Sequence, residues 1–75
     1  MGELVEFIAK SLVEKPDEVK AVVREDAEFT VIELSVAQED MGKVIGKQGR
    51  IAKAIRTVVK AATAKSDKPV FVEIQ

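Results

Sequence analysis

The chain has 75 residues, a hydrophobic fraction of 47% and a formal net charge of −1. That length fits one domain over residues 1–75 and is too short for two. Cysteine and histidine are absent, so there are no disulfides, and the commonest zinc ligands and general base are missing. We therefore expect no enzyme activity, no metal and no cofactor. The apolar runs are too short to span a membrane and the N-terminus lacks signal-peptide features, so we expect a cytoplasmic protein with no membrane partner.

The near-neutral total conceals a strong segregation of charge along the chain. Residues 1–40 carry four basic side chains against eleven acidic ones, a net of −7. Residues 41–65 carry seven basic side chains and no acid, and residues 66–75 have a net of −1. The net charge by itself disfavours a nucleic-acid partner, but the basic stretch is a place where an anion could bind.

The first half of the chain is predicted to form a helix followed by a β-hairpin. A helix over residues 3–14 ends before Pro16, because the residue preceding proline is disfavoured in the α region. Alternating apolar residues predict strands over 19–25 and 29–36, and the short polar link between them favours antiparallel pairing. The side chains predicted to face the core are Leu4, Phe7, Ile8 and Leu12 of the helix and Ile32, Leu34 and Val36 of the second strand.

The second half is predicted to form two helices and a last strand. A short helix over 38–45 begins with Glu39 and Asp40, which complement the positive end of its dipole. A longer helix over 50–65 has an apolar face opposite a basic one, and a strand over 70–75 follows. The apolar face is Ile51, Ile55, Val58, Val59 and Ala62, and the basic face is Lys53, Arg56 and Lys60.

These elements occur in the order α-β-β-α-α-β. The two helices between the last strands form a crossover long enough for parallel pairing. We therefore predict an α+β fold, a two-layer sandwich in which the helices cover one face of a three-stranded mixed sheet.

The link between the last two helices has the composition of a phosphate-binding loop. Gly46 and Gly49 bracket Lys47 and Gln48, and glycine permits positive φ and close backbone approach. The helix that begins at Arg50 has no Ser, Thr, Asp or Asn before it to act as a cap, and cations rather than acids surround its start. A bound phosphate would satisfy the free N–H groups, the dipole and the cations together. A plain break between two helices is the alternative interpretation of the two glycines.

Other phosphate-binding motifs do not fit this sequence. A Walker loop needs four residues between its glycines and then Lys followed by Ser or Thr, whereas three residues separate Gly42 from Gly46 and Gln48 follows Lys47. The dinucleotide fingerprint fails because Gly-x-Gly is absent. Gly-x-x-Gly between two helices is the arrangement that clamps nucleotide backbone in KH domains.

The run Val44-Ile45-Gly46-Lys47-Gln48-Gly49-Arg50 closely resembles the KH signature, and the element order resembles the type II form of that fold. In length and in the run from Met41 to Lys60, the whole chain is similar to the small bacterial single-KH RNA-binding proteins of the KhpA family. The resemblance implies a groove, walled by the loop with its two helices and by the sheet, that holds about four single-stranded nucleotides. The implied RNA-binding residues are Lys43, Val44, Ile45, Gly46, Lys47, Gln48, Gly49, Arg50 and Lys53.

Several residues allow two interpretations. Ala52 stands where many KH domains have a large aliphatic residue, which predicts a shallower groove floor. Lys53, Arg56 and Lys60 form either a binding surface or an ordinary solvated face. Phe29 and Phe71 are interpreted as packing residues rather than platforms for base stacking, because no RNA-recognition-motif sequence surrounds them.

The resulting hypothesis is a non-catalytic module that binds single-stranded RNA. The resemblance also implies a role as an RNA chaperone or post-transcriptional regulator linked to cell growth and division. It implies a homodimer, or a heterodimer with the larger KH protein KhpB. The alternative is a protein-interaction or dimerisation module with incidental nucleic-acid binding, since Val22, Val31 and Phe71 are predicted on the sheet face away from the helices.

Overall fold

A computed structural model describes residues 1–46 and 49–75 of the chain. Its element order confirms the predicted α-β-β-α-α-β arrangement. Among the residues described, none of the helices is both long and apolar enough to cross a bilayer. The elements are α1 (Gly2–Leu12), a short 3-10 turn (Pro16–Glu18), β1 (Lys20–Glu25), β2 (Thr30–Ser35), α2 (Gln38–Ile45), α3 (Arg50–Ala62) and β3 (Val70–Ile74).

The three strands form one mixed sheet in the order β1-β2-β3. β1 and β2 form the predicted antiparallel hairpin, with Glu25 opposite Thr30. The Asp26 carboxylate closes the hairpin by accepting hydrogen bonds from the backbone N–H groups of Glu28 and Phe29 at 2.8 and 3.0 Å. β3 pairs with β2 in parallel, as predicted from the crossover through two helices.

The core lies between one face of the sheet and the helices. Ile32 and Leu34 are buried, as the alternation in β2 predicted. α1 and α3 pack against this face and against each other, whereas α2 packs mainly against α3. The central cluster is completed by Val5 and Ala9 of α1, Val19, Ile55 and Val59 of α3, and Val72 of β3.

The face of α1 that packs on the sheet differs from the predicted one. Val5 and Ala9 are buried, whereas Phe7 is 69% exposed and Leu12 is 41% exposed. The small residues on this line bring the helix close to the sheet, since a Cβ added to Gly2 would come within 2.9 Å of a methyl group of Val23. Of the predicted line, Ile8 packs against the core cluster, whereas Phe7 and Leu12 are exposed and the prediction for them was wrong.

The packed face of α3 is also rotated from the prediction. Ile55 and Val59 are buried as expected, but Ala52 joins them and Val58 is 39% exposed. The helix ends at Ala62, three residues before the predicted end. The Thr63 hydroxyl donates to the carbonyl of Val59 at 2.7 Å, which satisfies an acceptor in the last turn.

A buried carboxylate joins the two halves of the chain. Asp40 lies in the first turn of α2, as predicted, and is only 1% exposed. Its two oxygens accept hydrogen bonds from the backbone N–H groups of Glu14 and Lys15 at 3.1 and 3.0 Å. Glu39 beside it pairs with the Lys15 ammonium, which raises the pKa of Lys15. Asp40 therefore fixes the segment after α1 against α2.

We expect Asp40→Ala to lower the free energy of unfolding by about 1–3 kcal/mol, because two partly buried backbone N–H groups lose a charged acceptor. Urea denaturation measures this change. Asp17→Ala is the matched control, because Asp17 is exposed and its loss should cost less than about 0.5 kcal/mol. Equal effects of the two substitutions would contradict the assigned role of Asp40.

Candidate nucleic-acid interface

The two glycines of the loop have different structural roles. Gly49 has φ 65° and ψ 33°, the left-handed conformation, and is the N-cap residue of α3. Gly46 has φ −81°, and a side chain there would collide with the carbonyl oxygen of Gly42. The Gly49 N–H donates to the Gly46 carbonyl at 2.8 Å. Of the two glycines, Gly49 is the one that adopts positive φ, and Gly46 is the one at which a side chain has no room. Lys47 and Gln48 lie outside the described residues.

The start of α3 is open to an anion. Gly49 offers no capping side chain, and the first turn contains no acidic residue. The N–H groups of that turn have no acceptor within the helix, and they point along the positive end of the dipole. Arg50 is the first residue of the helix and is exposed. Among residues 1–46 and 49–75, no side chain caps this helix start, in agreement with the prediction.

A groove of about 420 Å³ begins at this helix start and runs along α3. Ala52, which is 3% exposed, lies at its base, and Ile45, 57% exposed, forms an apolar edge. The remaining lining residues are Gly49, Lys53, Arg56, Thr57 and Lys60. The groove therefore combines a small apolar floor with a row of cations.

A second cleft of about 460 Å³ lies between the C-terminal half of α3 and β3. Arg56 and Lys60 line this cleft as well as the groove, so the two depressions share a cationic border. Its walls are mostly apolar, and they include Val59, Val70 and Phe71 together with Lys68 and Pro69. The sequence interpretation did not include Lys68, because its spacing along the chain gives no sign that it lies near α3.

The basic face of α3 groups three cations without a carboxylate partner among the described residues, and the same holds for Lys20, Arg50 and Lys65. Five cations elsewhere each contact a carboxylate, in the pairs Lys10–Glu6, Lys15–Glu39, Arg24–Glu33, Lys43–Glu14 and Lys68–Glu25. Within residues 1–46 and 49–75, no acidic side chain pairs with Lys53, Arg56 or Lys60. The groove thus presents three cations whose charge is not offset by a neighbouring acid.

The structure brings together some of the residues that the resemblance implies and separates others. Gly49, Ile45 and Lys53 line the groove, and Gly46 lies at its loop end. Val44 is 1% exposed and packs in the interior. Lys43 turns toward Glu14, with 3.5 Å between Nζ and Oε1. The groove also contains Arg56 and Lys60, which the resemblance does not include among the RNA-binding residues. The sequence pattern that places them beside Lys53 is their spacing of three and seven residues from it on one helix.

Comparison with known proteins identifies the family that this chain matches. The profile described as "KhpA/KhpB, KH domain" matches residues 2–74. The chain is 65% identical to an "RNA-binding protein KhpA" of Clostridium perfringens over 74 residues, covering 99% of each chain. It is 62% identical to proteins of the same name from Clostridium acetobutylicum and Caldanaerobacter subterraneus, again covering 99% of each chain. No solved structure matches.

Substitution of the glycines by alanine tests the backbone assignment. We expect Gly49→Ala to destabilise the fold by about 1–2 kcal/mol, because alanine pays the steric cost of the left-handed conformation, although the space around its Cβ is open. Gly42→Ala is the matched control in α2, where nothing lies near the added methyl group, and it should stabilise by roughly 0.5–1 kcal/mol. Urea denaturation of both variants measures these changes, and a Gly49→Ala protein as stable as the parent would contradict the assignment.

Proposed function

Because the chain belongs to the KhpA/KhpB family of KH-domain proteins, we propose that residues 1–75 form a single KH domain that binds single-stranded RNA without catalysis. One observation carries the proposal. Lys53, Arg56 and Lys60 line a groove that begins at the uncapped start of α3, and no carboxylate of the described residues pairs with them. The names of the relatives, which are RNA-binding proteins, support the same ligand class.

The proposed binding mode follows from the order of groups along the groove. A phosphate at the loop accepts hydrogen bonds from the first N–H groups of α3, where the helix dipole favours negative charge. Lys47, Gln48, Arg50 and Lys53 add positive charge or donors around that phosphate. Arg56 and Lys60 then contact the next phosphates along α3, since Lys60 lies seven residues beyond Lys53, about 10 Å along the helix axis.

The bases would turn toward the apolar part of the groove. Ile45 offers an exposed aliphatic surface, while Ala52 leaves the floor shallow. A shallow floor with few side-chain donors or acceptors provides little discrimination between bases, so we propose sequence-tolerant binding dominated by the phosphate backbone. Such binding suits an RNA chaperone or post-transcriptional regulator, and we propose this role in the cytoplasm, linked to cell growth and division.

Two charge variants test the proposed site. We expect Lys47→Asp with Gln48→Asp, and separately Lys53→Gln with Arg56→Gln and Lys60→Gln, to weaken binding of a fluorescent single-stranded oligouridylate by at least about tenfold, or 1.4 kcal/mol. Each set lowers the net charge by three. The first replaces one cation and adds two acids in the loop, and the second neutralises three cations of α3. Fluorescence anisotropy at fixed salt measures the affinity, because phosphate contacts are salt-dependent.

The control lowers the net charge equally at a distance from the groove. Lys20→Glu with Lys10→Gln also lowers the net charge by three, through changes on β1 and α1, and should change the affinity less than about threefold. If the control weakens binding as much as the groove variants do, the RNA is attracted by overall charge and the proposed site is wrong.

We also propose that the chain pairs, either with a second copy or with a larger KhpB-type protein. One groove for about four nucleotides provides few contacts, and linking two grooves raises the effective concentration of the second. The matching profile covers both KhpA and KhpB proteins, which supports a partner that carries the same domain.

Sedimentation velocity tests this pairing. At micromolar concentration we expect the chain alone to sediment partly or wholly as a dimer, with a weight-average mass that falls on dilution by mass action. A strict monomer, both alone and when mixed with a KhpB-type protein, would contradict the proposed pairing.

A further inference from the structure

The face of the sheet opposite the helices exposes a group of apolar side chains. Val31 of β2 lies between Arg24 of β1 and Phe71 of β3 in the strand register. Phe71 is 54% exposed, and its ring meets that of Phe29 edge to face with 6.1 Å between centroids. Val22, two residues from Arg24 on β1 and therefore on the same face, is 51% exposed. We call this surface the outer face; its apolar members are Val22, Phe29, Val31 and Phe71.

The outer face also carries closely spaced carboxylates. Glu33 and Glu73 are direct neighbours in the parallel register of β2 and β3, and like charges placed opposite each other are unfavourable. Arg24 Nε lies 2.7 Å from Glu33 Oε1, whereas no cation of the described residues pairs with Glu73. A second cation beside Glu73 would relieve this repulsion.

A depression of about 310 Å³ joins the apolar and acidic parts of the outer face. Its lining contains one cationic side chain and four acidic ones. Hydrogen bonds from the backbone N–H groups of Glu28 and Phe29 lower the pKa of one of these acids, Asp26. The apolar contact surface is provided by Phe29 and Val31. The lining residues are Arg24, Glu25, Asp26, Phe29, Val31, Glu33 and Glu73.

Charge disfavours RNA as the occupant, because phosphates would approach four carboxylates and one guanidinium. A second copy of the chain is disfavoured for two reasons. A two-fold axis places the same patch against itself, which would bring Glu73 of each copy toward carboxylates. Three strands about 4.8 Å apart and five or six residues long also cover roughly 250 Å², well below the ~800 Å² per partner of a stable interface.

We propose that the outer face binds a short segment of another protein that presents an apolar side chain next to a lysine or arginine. The apolar side chain packs on Phe29 and Val31, and the cation lies beside Glu33 and Glu73. The small area suits a weak, transient contact with a peptide-like segment. Val31, Glu33 and Glu73 line neither the groove nor the cleft beside α3. One chain can therefore bind both partners at once, and the inference does not depend on RNA binding.

The test begins with selection of short random peptides displayed on phage against the full-length chain. We expect the enriched sequences to share a lysine or arginine within two positions of an aliphatic or aromatic residue. Their synthetic, fluorescein-labelled forms are then titrated with the protein. Glu33→Gln with Glu73→Gln, and separately Val31→Thr, should each weaken peptide binding by at least about fivefold, whereas oligouridylate binding should stay within about twofold.

The substitutions are near-isosteric, and urea denaturation shows whether each variant is folded. Glu3→Gln with Asp17→Asn is the matched control, because it removes two exposed acids elsewhere and should leave peptide binding unchanged. Excess oligouridylate should not displace the peptide.

Other results would overturn the proposal. These are failure to enrich peptides, enrichment of peptides without basic residues, equal binding by the outer-face variants and the control, or displacement of peptide by RNA. Finding that the outer-face substitutions dissociate a dimer of the chain would assign the face to a second copy instead. Loss of oligouridylate binding in the groove variants bears on the RNA site alone and leaves this test unaffected.

Discussion

The backbone between α2 and α3 is the constraint on which the proposed site depends. Gly46 has no room for a side chain against the Gly42 carbonyl, and Gly49 adopts the left-handed conformation that starts α3. This geometry ends one helix and begins another without a capping side chain. The first N–H groups of α3 are consequently left for an external acceptor, and a helix start with free donors favours an anion. The groove and its cations extend from that point.

Ion pairing concentrates the positive potential in the same place. Lys10, Arg24, Lys43 and Lys68 each lie against a carboxylate, so their fields are partly cancelled at a distance. Lys53, Arg56 and Lys60 have no such partner in the part of the chain that the structure describes. The opposite side of the molecule carries Glu33 and Glu73 beside exposed apolar side chains. The net charge of −1 thus conceals a cationic groove and a mainly acidic depression on the outer face.

The sequence predicts the elements of this fold better than it predicts their packing. Strand alternation identified Ile32 and Leu34 as core residues, and α2 has the predicted bounds, because these features depend on local periodicity and on turn residues. The packed faces of α1 and α3 were predicted less well. Phe7 and Val58 are exposed, whereas Ala9 packs in the cluster on the sheet and Ala52 is buried at the base of the groove. Helical periodicity narrows the choice of face without fixing it.

In the candidate site, too, the sequence predicts the local features but not the contacts between distant residues. The Gly-x-x-Gly loop and the uncapped helix are visible in the sequence, since glycine and capping residues act locally. The pairing of Lys43 with Glu14, the hydrogen bonds of Asp40 and the position of Lys68 beside α3 join residues far apart in the chain. No periodic pattern encodes such contacts, so they become known only when the elements are packed.

Mapping the bound RNA onto the backbone amides tests the central claim most directly. In a ¹⁵N–¹H correlation titration with tetrauridylate, the account predicts that the largest amide shifts occur at Gly49 to Lys53. Smaller shifts should follow along α3 to Lys60, with little change at Val22, Val31 and Glu73 on the outer face. Shifts concentrated on the outer face or on α1, with the start of α3 unchanged, would contradict it.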